Sequence, residues 1–290
     1  AGAAVAVPSP AGAQSGGGKM MRGLSPSLRL AMIAVFVFLY APMLLLIIYS
    51  FNDSRLVTVW AGFSTRWYGE LFRDRQMMSA LWVSLRLAFM AATAAVVFGT
   101  LAAIALTRLG PFRGRSALGM LVTAPLVIPE VITGLSLLLL FVAMGQLIGW
   151  PAERGMLTVW IAHVTFATAF VTVVVAARLA QFDSSLYEAA LDLGATPLKA
   201  FLLVVLPVIS PALFAGWLLA FTLSLDDLVI ASFTSGPGAT TLPMVVFSSV
   251  RLGVSPKVNA LATLLILFVL LAALASWWLM RRRANGRAAF

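Results

Sequence analysis

Six stretches of this chain, at about 28–50, 80–107, 117–143, 156–178, 208–232 and 257–280, are apolar over more than twenty residues each. The hydrocarbon core of a bilayer is about 30 Å thick, and a helix needs about 20 apolar residues to cross it. In lipid no backbone N–H or C=O can go unbonded, which leaves only helices and closed barrels as spanning structures. None of the six stretches alternates apolar and polar residues as a membrane barrel strand does. The expectation is an all-α integral membrane protein with six transmembrane helices. Charge content agrees: 10% of residues are charged, against about 25% in soluble domains.

The stretches are bordered by short basic clusters that account for much of the net charge of +10. That pattern is a topology signal rather than a nucleic-acid surface. With both termini cytoplasmic, the larger share of the Lys and Arg residues falls inside, including Arg108, Arg113, Arg115 and Arg281 to Arg283. Trp150, Trp160, Trp277 and Trp278 lie near segment ends, where interfacial anchors belong. Residues 1–27, rich in Ala, Gly, Pro and Ser, read as a disordered cytoplasmic tail, and 281–290 as a basic cytoplasmic tail. Residues 28–280 are expected to form the six-helix transmembrane domain between them. A short helix is expected in the first outer loop, 51–79, around Trp60, Trp67, Tyr68 and Phe72. Another apolar run, Leu242 to Val250, follows the turn at Ser235-Gly236-Pro237-Gly238.

The absence of cysteine excludes disulfides and thiolate metal sites, and a single histidine excludes a histidine cluster. No nucleophile–base pair stands out, so an enzyme is not expected. No G-x-x-x-x-G-K-[ST] stretch occurs, so this chain carries no phosphate-binding loop of that kind.

Ionisable side chains inside a span are costly and are candidate pathway residues. Glu130 lies about 13 residues, or about 20 Å of helix, into the third segment. Pro125 and Pro129 precede it and interrupt the helix ladder. It could line a pathway or pair with a neighbouring subunit. Asp226 and Asp227 lie toward the outer end of the fifth segment. Adjacent helical residues point about 100° apart, so one could line a path while the other makes a structural pair. Three carboxylates suit a cationic substrate and disfavour an anion. His163 reads as a hydrogen-bonded packing residue, and Arg86 as an interfacial one.

The loop between the fourth and fifth segments, 182–207, starts too polar to be membrane core. Ser184 or Ser185 can cap a short helix over Tyr187 to Leu193, with Glu188 in its first turn. Gly194 ends it. Thr196-Pro197 opens a second short helix expected to stop before Pro207. From the residues alone this is either an amphipathic connector or a rigid knob. Its spacing, Glu188-Ala189-Ala190, three residues, Gly194, nine residues, then Val204-x-Leu206-Pro207, resembles the loop signature of ABC-importer permeases, with Val204 in a slot usually held by Ile. Segments 123–135 (TAPLVIPEVITGL), 155–158 (GMLT), 217–233 (WLLAFTLSLDDLVIASF), 235–243 (SGPGATTLP) and 259–263 (NALAT) resemble the polyamine (putrescine/spermidine) permeases of that family. Glu130 stands where those permeases usually carry an acidic residue, often Asp.

The resemblance implies a type I importer fold in the bacterial inner membrane. Glu188, Ala189, Ala190, Gly194, Leu206 and Pro207 would form a coupling loop that docks on an ATPase, and Glu130, Asp226 and Asp227 would line the path of putrescine or spermidine. It further implies a second, commonly non-identical permease chain, two cytoplasmic ATPase chains that bind ATP and Mg, and a periplasmic binding protein. This chain itself would hold no cofactor. Another cationic or small solute, or a carrier working alone, are the alternatives.

Overall fold

The computed structural model describes residues 25–55, 59–252 and 255–287. The expected tail at 1–27 lies outside the described residues up to 24, as do 288–290 of the C-terminal tail. Thirteen segments matter for the site, and all but one are α-helical. They run α1 (Pro26–Tyr49), α2 (Arg66–Arg73), α3 (Arg75–Arg108), α4 (Arg115–Val127), α5 (Glu130–Ile148), α6 (Met156–Ala180), α7 (Ser184–Asp192) and α8 (Pro197–Ala200). After a π-helical turn at Phe201–Val205 come α9 (Leu206–Asp226), α10 (Val229–Thr234), α11 (Leu242–Leu252) and α12 (Pro256–Arg287). Internal contacts divide the chain into a unit made of the residues up to Tyr68 with those from Asn259 onward, and a second unit, Gly69–Val258.

In the first unit α1 starts at Ser25, whose side chain accepts from the Leu28 N–H, with Pro26 at the first helical position. Residues 25–27 therefore belong to a helix and its cap, not to a tail. Past α1, Asn52 organises the loop. Its side chain donates to Val59 O and accepts from Ala61 N, and its carbonyl receives Trp67 Nε1 at 2.6 Å. The short helix expected near Trp67 is α2.

In the second unit α3, α6 and α9 pack together, and small residues let them. The buried face of α3 is mostly Ala, with Ser84 and Gly99. A Cβ on Gly99 would stand 2.8 Å from the Val171 side chain of α6, and one on Gly216 of α9 would meet the same valine at 3.4 Å. Val171 is thus a wedge between two glycines, the close approach on which helix pairs in lipid depend. The α5 helix packs on α10, where a Cβ on Gly134 would lie 3.3 Å from Ile230 Cα.

Several boundaries differ from expectation, each for a local reason. Among the described residues five helices are long and apolar enough to cross a membrane: Pro26–Tyr49, Arg75–Arg108, Glu130–Ile148, Met156–Ala180 and Pro197–Asp226. The sixth expected segment is helical too, but its described apolar stretch, Pro256–Leu271, is shorter. The helix continues to Arg287, so 281–287 extend it. The third segment is divided. Ile128 and Pro129 are extended (ψ 131° and 137°), because a residue before proline is driven out of the helical region. Pro125 does not break the chain and sits inside α4.

The fifth segment begins earlier than 208. The second short helix does not stop before Pro207, since α8, the π turn and α9 form one continuous rod, Pro197–Asp226. The Leu206 N–H reaches back five residues to Phe201 O. This wide turn absorbs what would otherwise be a clash and a missing donor at Pro207. At Pro211 the same problem is met differently, with the Ser210 hydroxyl donating to Pro207 O at 2.9 Å. The far end of the segment breaks after Asp226.

Candidate functional site

Two groups of residues were singled out by the sequence, and they are built differently. The loop between α6 and α9 is built from local caps. Asp183, not Ser184 or Ser185, is the N-cap of α7, accepting the Ser185 N–H at 3.0 Å. Hydrogen bonds from the Ser185 backbone and hydroxyl hold the Asp183 carboxyl below the usual carboxylate range. Glu188 consequently falls beyond the first turn. The Asp183 signal was present, since Asp ranks with Ser at N-caps and directly precedes the serine pair.

The end of α7 forms as expected. Gly194 adopts φ +85°. Its N–H bonds Leu191 O at 2.8 Å, and the Ala195 N–H bonds Ala190 O at 3.0 Å. This nested pair of bonds is the Schellman termination, and a glycine at its left-handed position avoids the Cβ penalty. Thr196 then caps α8, accepting the Lys199 N–H, with Pro197 first in the helix. Tyr187, Phe201, Val204 and Val205 join the apolar core that contains Ala95, Val171 and Ile209, so the knob stands on the packed bundle. Its outer surface presents Glu188, Ala189 and Gly194. Leu193 is 90% exposed, an apolar tip the sequence reading did not single out. Leu206 and Pro207 lie farther along the rod of α9, not on the knob.

The second group is assembled from helix breaks. Glu130 is the first residue of α5. Asp226 is the last of α9, and Asp227 is extended (φ −65°, ψ 123°) at the break. The Asp227 carboxylate caps the next helix, accepting the Ile230 N–H at 3.3 Å and the Ala231 N–H at 2.7 Å. His163 of α6 places Nε2 3.2 Å from Asp227 Oδ2, off the line a hydrogen bond needs. On its other side His163 Nδ1 shares a 2.7 Å hydrogen bond with Ser224 Oγ. His163, Ser224 and Asp227 are 2%, 4% and 8% exposed, whereas Glu130 and Asp226 are exposed. Glu130 and Gly134 are four apart on α5 and share a face. That face packs on α10 just beyond its Asp227 cap.

The structure therefore brings the three carboxylates to one region and sorts them. Asp227 is engaged by two backbone donors and stands against an imidazole, while Glu130 and Asp226 are exposed. The pairing of His163 with Asp227 and Ser224 spans more than sixty positions and left no signal in a single sequence.

Residues 95–284 match the family described as "binding-protein-dependent transport system inner membrane component". The chain is 65% identical over 252 residues to the putrescine transport system permease protein PotI of Escherichia coli, covering 87% of this chain and 90% of that protein. It is 39% identical over 255 residues to the spermidine/putrescine transport system permease protein PotC of the same species, covering 88% and 94%. Among solved structures, a chain of a bacterial ABC transporter that imports the acidic polysaccharide alginate aligns with a TM-score of 0.66 at 16% identity, over 91% of this chain and 98% of that one. The methionine ABC transporter MetNI in an inward-facing form aligns with a TM-score of 0.55 at 20% identity, over 70% and 94%. At such identities these structures speak for the fold alone.

Proposed function

Because this chain belongs to the family of binding-protein-dependent transport system inner membrane components, we propose that it is the membrane-spanning permease subunit of an ATP-driven importer of polyamines, with putrescine as its cargo. The observation that carries the cargo is the 65% identity to a putrescine permease over 87% of this chain. The exposed carboxylates at the helix breaks support it, since anionic oxygens presented from broken helices suit a cationic amine.

In this reading the chain performs no chemistry. It works with a second permease chain, commonly a non-identical homologue, two cytoplasmic ATPase chains that bind ATP and Mg, and a periplasmic binding protein. Both termini and the 182–207 loop face the cytoplasm. The binding protein delivers the polyamine to the outer loops. Closure of the ATPases drives the knob of Glu188, Ala189, Ala190 and Gly194, and Leu206 and Pro207 carry the push into α9. Coupling requires an element with two arrangements that both ligands bias, and the packed trio of α3, α6 and α9 can tilt as that element. Glu130 and Asp226 line the path and take the ammonium groups, and Asp227 shapes the break that presents them.

The test is uptake of labelled putrescine by proteoliposomes holding the complete complex, with spermidine and sulfate as competitors. Competition by spermidine and none by sulfate is expected. Uptake without ATP or the ATPase chains would overturn the importer reading. Glu130→Gln should lower uptake far more than it lowers assembly, and an equal fall in both would make Glu130 structural.

A further inference from the structure

Arg108 ends α3, and its side chain is directed at the root of the 182–207 loop. Its Nη2 donates to Leu179 O at 2.7 Å and to Phe182 O at 3.0 Å. The guanidinium also lies over the Phe182 ring, 5.2 Å from Cζ to the centroid. The last carbonyls of a helix have no partner within it, and a cation there also meets the negative end of the helix dipole. Arg108 thus fastens the exit of α6, one residue before the Asp183 cap, to the end of α3. A looser tie holds the other root, where Arg178 of α6 donates from Nε and Nη2 to Val208 O, both at 3.3 Å.

Beside Arg108 is a cavity of about 380 Å³, lined by Ile104, Leu179, Phe182, Tyr187, Phe201 and Val205. It lies between the knob and the bundle. A push on α7 has two outlets: it can drive the side chains of α7 into this space, or it can move the helices to which the loop is tied. Close-packed regions transmit displacement and unfilled ones absorb it.

We infer that Arg108 is a positioning residue for transport, holding the loop root to α3 and α6 so that displacement of the knob moves these helices instead of collapsing the cavity. This rests on the reading that the loop receives the ATPase stroke. One nitrogen, Nη2, serves both carbonyls while the guanidinium plane lies over the Phe182 ring; a lysine ammonium can donate to carbonyls but has no planar face to stack there.

The experiment uses the complete complex in proteoliposomes and measures ATP hydrolysis and putrescine uptake on the same vesicles. Two hydrogen bonds from a charged donor are lost in Arg108→Gln, so the ATP consumed per putrescine imported should rise about tenfold. Assembly and hydrolysis should stay within about twofold of the parent. Arg108→Lys should fall between the two. A ratio unchanged in Arg108→Gln, with uptake and hydrolysis intact or falling together, overturns the inference. If Arg108→Gln fails to assemble, the Lys variant decides: a raised ratio supports the role of the guanidinium and a parental ratio overturns it.

A second readout does not depend on cargo. The chain has no cysteine, so spin labels can be placed at Asp192→Cys on α7 and Leu101→Cys on α3. Their separation should hold constant between nucleotide states in the parent and change in Arg108→Gln. A separation that changes equally in both overturns the inference. A complex that imports no polyamine, yet shows this difference between the parent and Arg108→Gln, refutes the proposed cargo and leaves the role of Arg108 standing.

Discussion

The knob at 183–195 and the carboxylate cluster at the helix breaks both carry acidic side chains, but the two regions use them in opposite ways. None of the ion pairs among the described residues uses Glu188, and the two ends of its helix are set by neighbours in sequence: Asp183 before it, Gly194 after it. Asp227 is buried, caps a helix with two backbone bonds and stands beside His163. The difference separates recognition from architecture. A charge with no use inside its own chain is available to a partner, whereas a charge engaged by internal donors sets geometry. By that criterion Asp226, exposed and adjacent to Asp227, belongs with Glu188 and Glu130.

Charge reversal at the free position is expected to give the largest effect. Glu188→Lys should reduce putrescine uptake by about a hundredfold or more, the scale of one charged contact converted from attraction to repulsion at an interface. The melting temperature of the isolated chain should not move. Retained uptake would place the docking contact elsewhere on the loop, for which exposed Leu193 is the obvious candidate.

Next in size is a contrast between neighbours. Asp227→Asn weakens a charge-assisted cap and removes the negative partner of His163, and should cost about 2 kcal/mol of stability. Asp226→Asn should change stability by less than about 0.5 kcal/mol while lowering uptake. Thermal unfolding in detergent alongside transport separates the two. Equal destabilisation by both would dissolve the distinction drawn here.

How much of this was legible depended on whether the determinants were local. Glycine at 194, proline at 197 and the Glu-Ala-Ala run sit within a few residues of what they shape, so the knob was readable. Its cap was misplaced by one or two residues because Asp183, Ser184 and Ser185 are all good caps in a row, and only geometry decides among them. The carboxylates were flagged because charge is rare in apolar segments. Their division of labour was not readable, because it depends on His163 and Ser224 meeting Asp227 through the packing of α6 against α9. The break at Pro129 was legible from proline chemistry. The continuity through Pro207 was not, since a π turn inserted just ahead of a proline leaves no local mark.

A smaller effect is expected at Gly194. Its φ of +85° is costly for any residue with a Cβ, so Gly194→Ala should destabilise the end of α7 by about 1 kcal/mol. Nothing lies within 4 Å of where the Cβ would stand, so the cost is backbone strain alone. Hydrogen exchange should show faster opening of the last turn of α7, with the amides of α6 and α9 unchanged. Exchange that also quickened in α6 and α9 would mean that the knob and the bundle unfold as one unit, against the separation of local and tertiary control.

The smallest effect concerns acid. The Asp183 carboxyl is held below its ordinary value of 3.8 by the Ser185 donors. A group with a depressed folded-state pKa contributes its stabilisation above the unfolded value and loses it as pH falls through the folded one. Protection of the first turn of α7 should therefore be constant from neutral pH down to the ordinary carboxylate range and decline only below it. Asn is as good a cap as Asp but does not titrate, so Asp183→Asn should keep the turn and flatten the profile. A decline that persists in Asp183→Asn would trace the acid response to another group and leave Asp183 a cap by geometry without an electrostatic share. Disappearance of the turn at every pH would instead show that charge, not hydrogen-bond shape, starts this helix, and that even the most local element of the knob answers to the dipole of its own backbone.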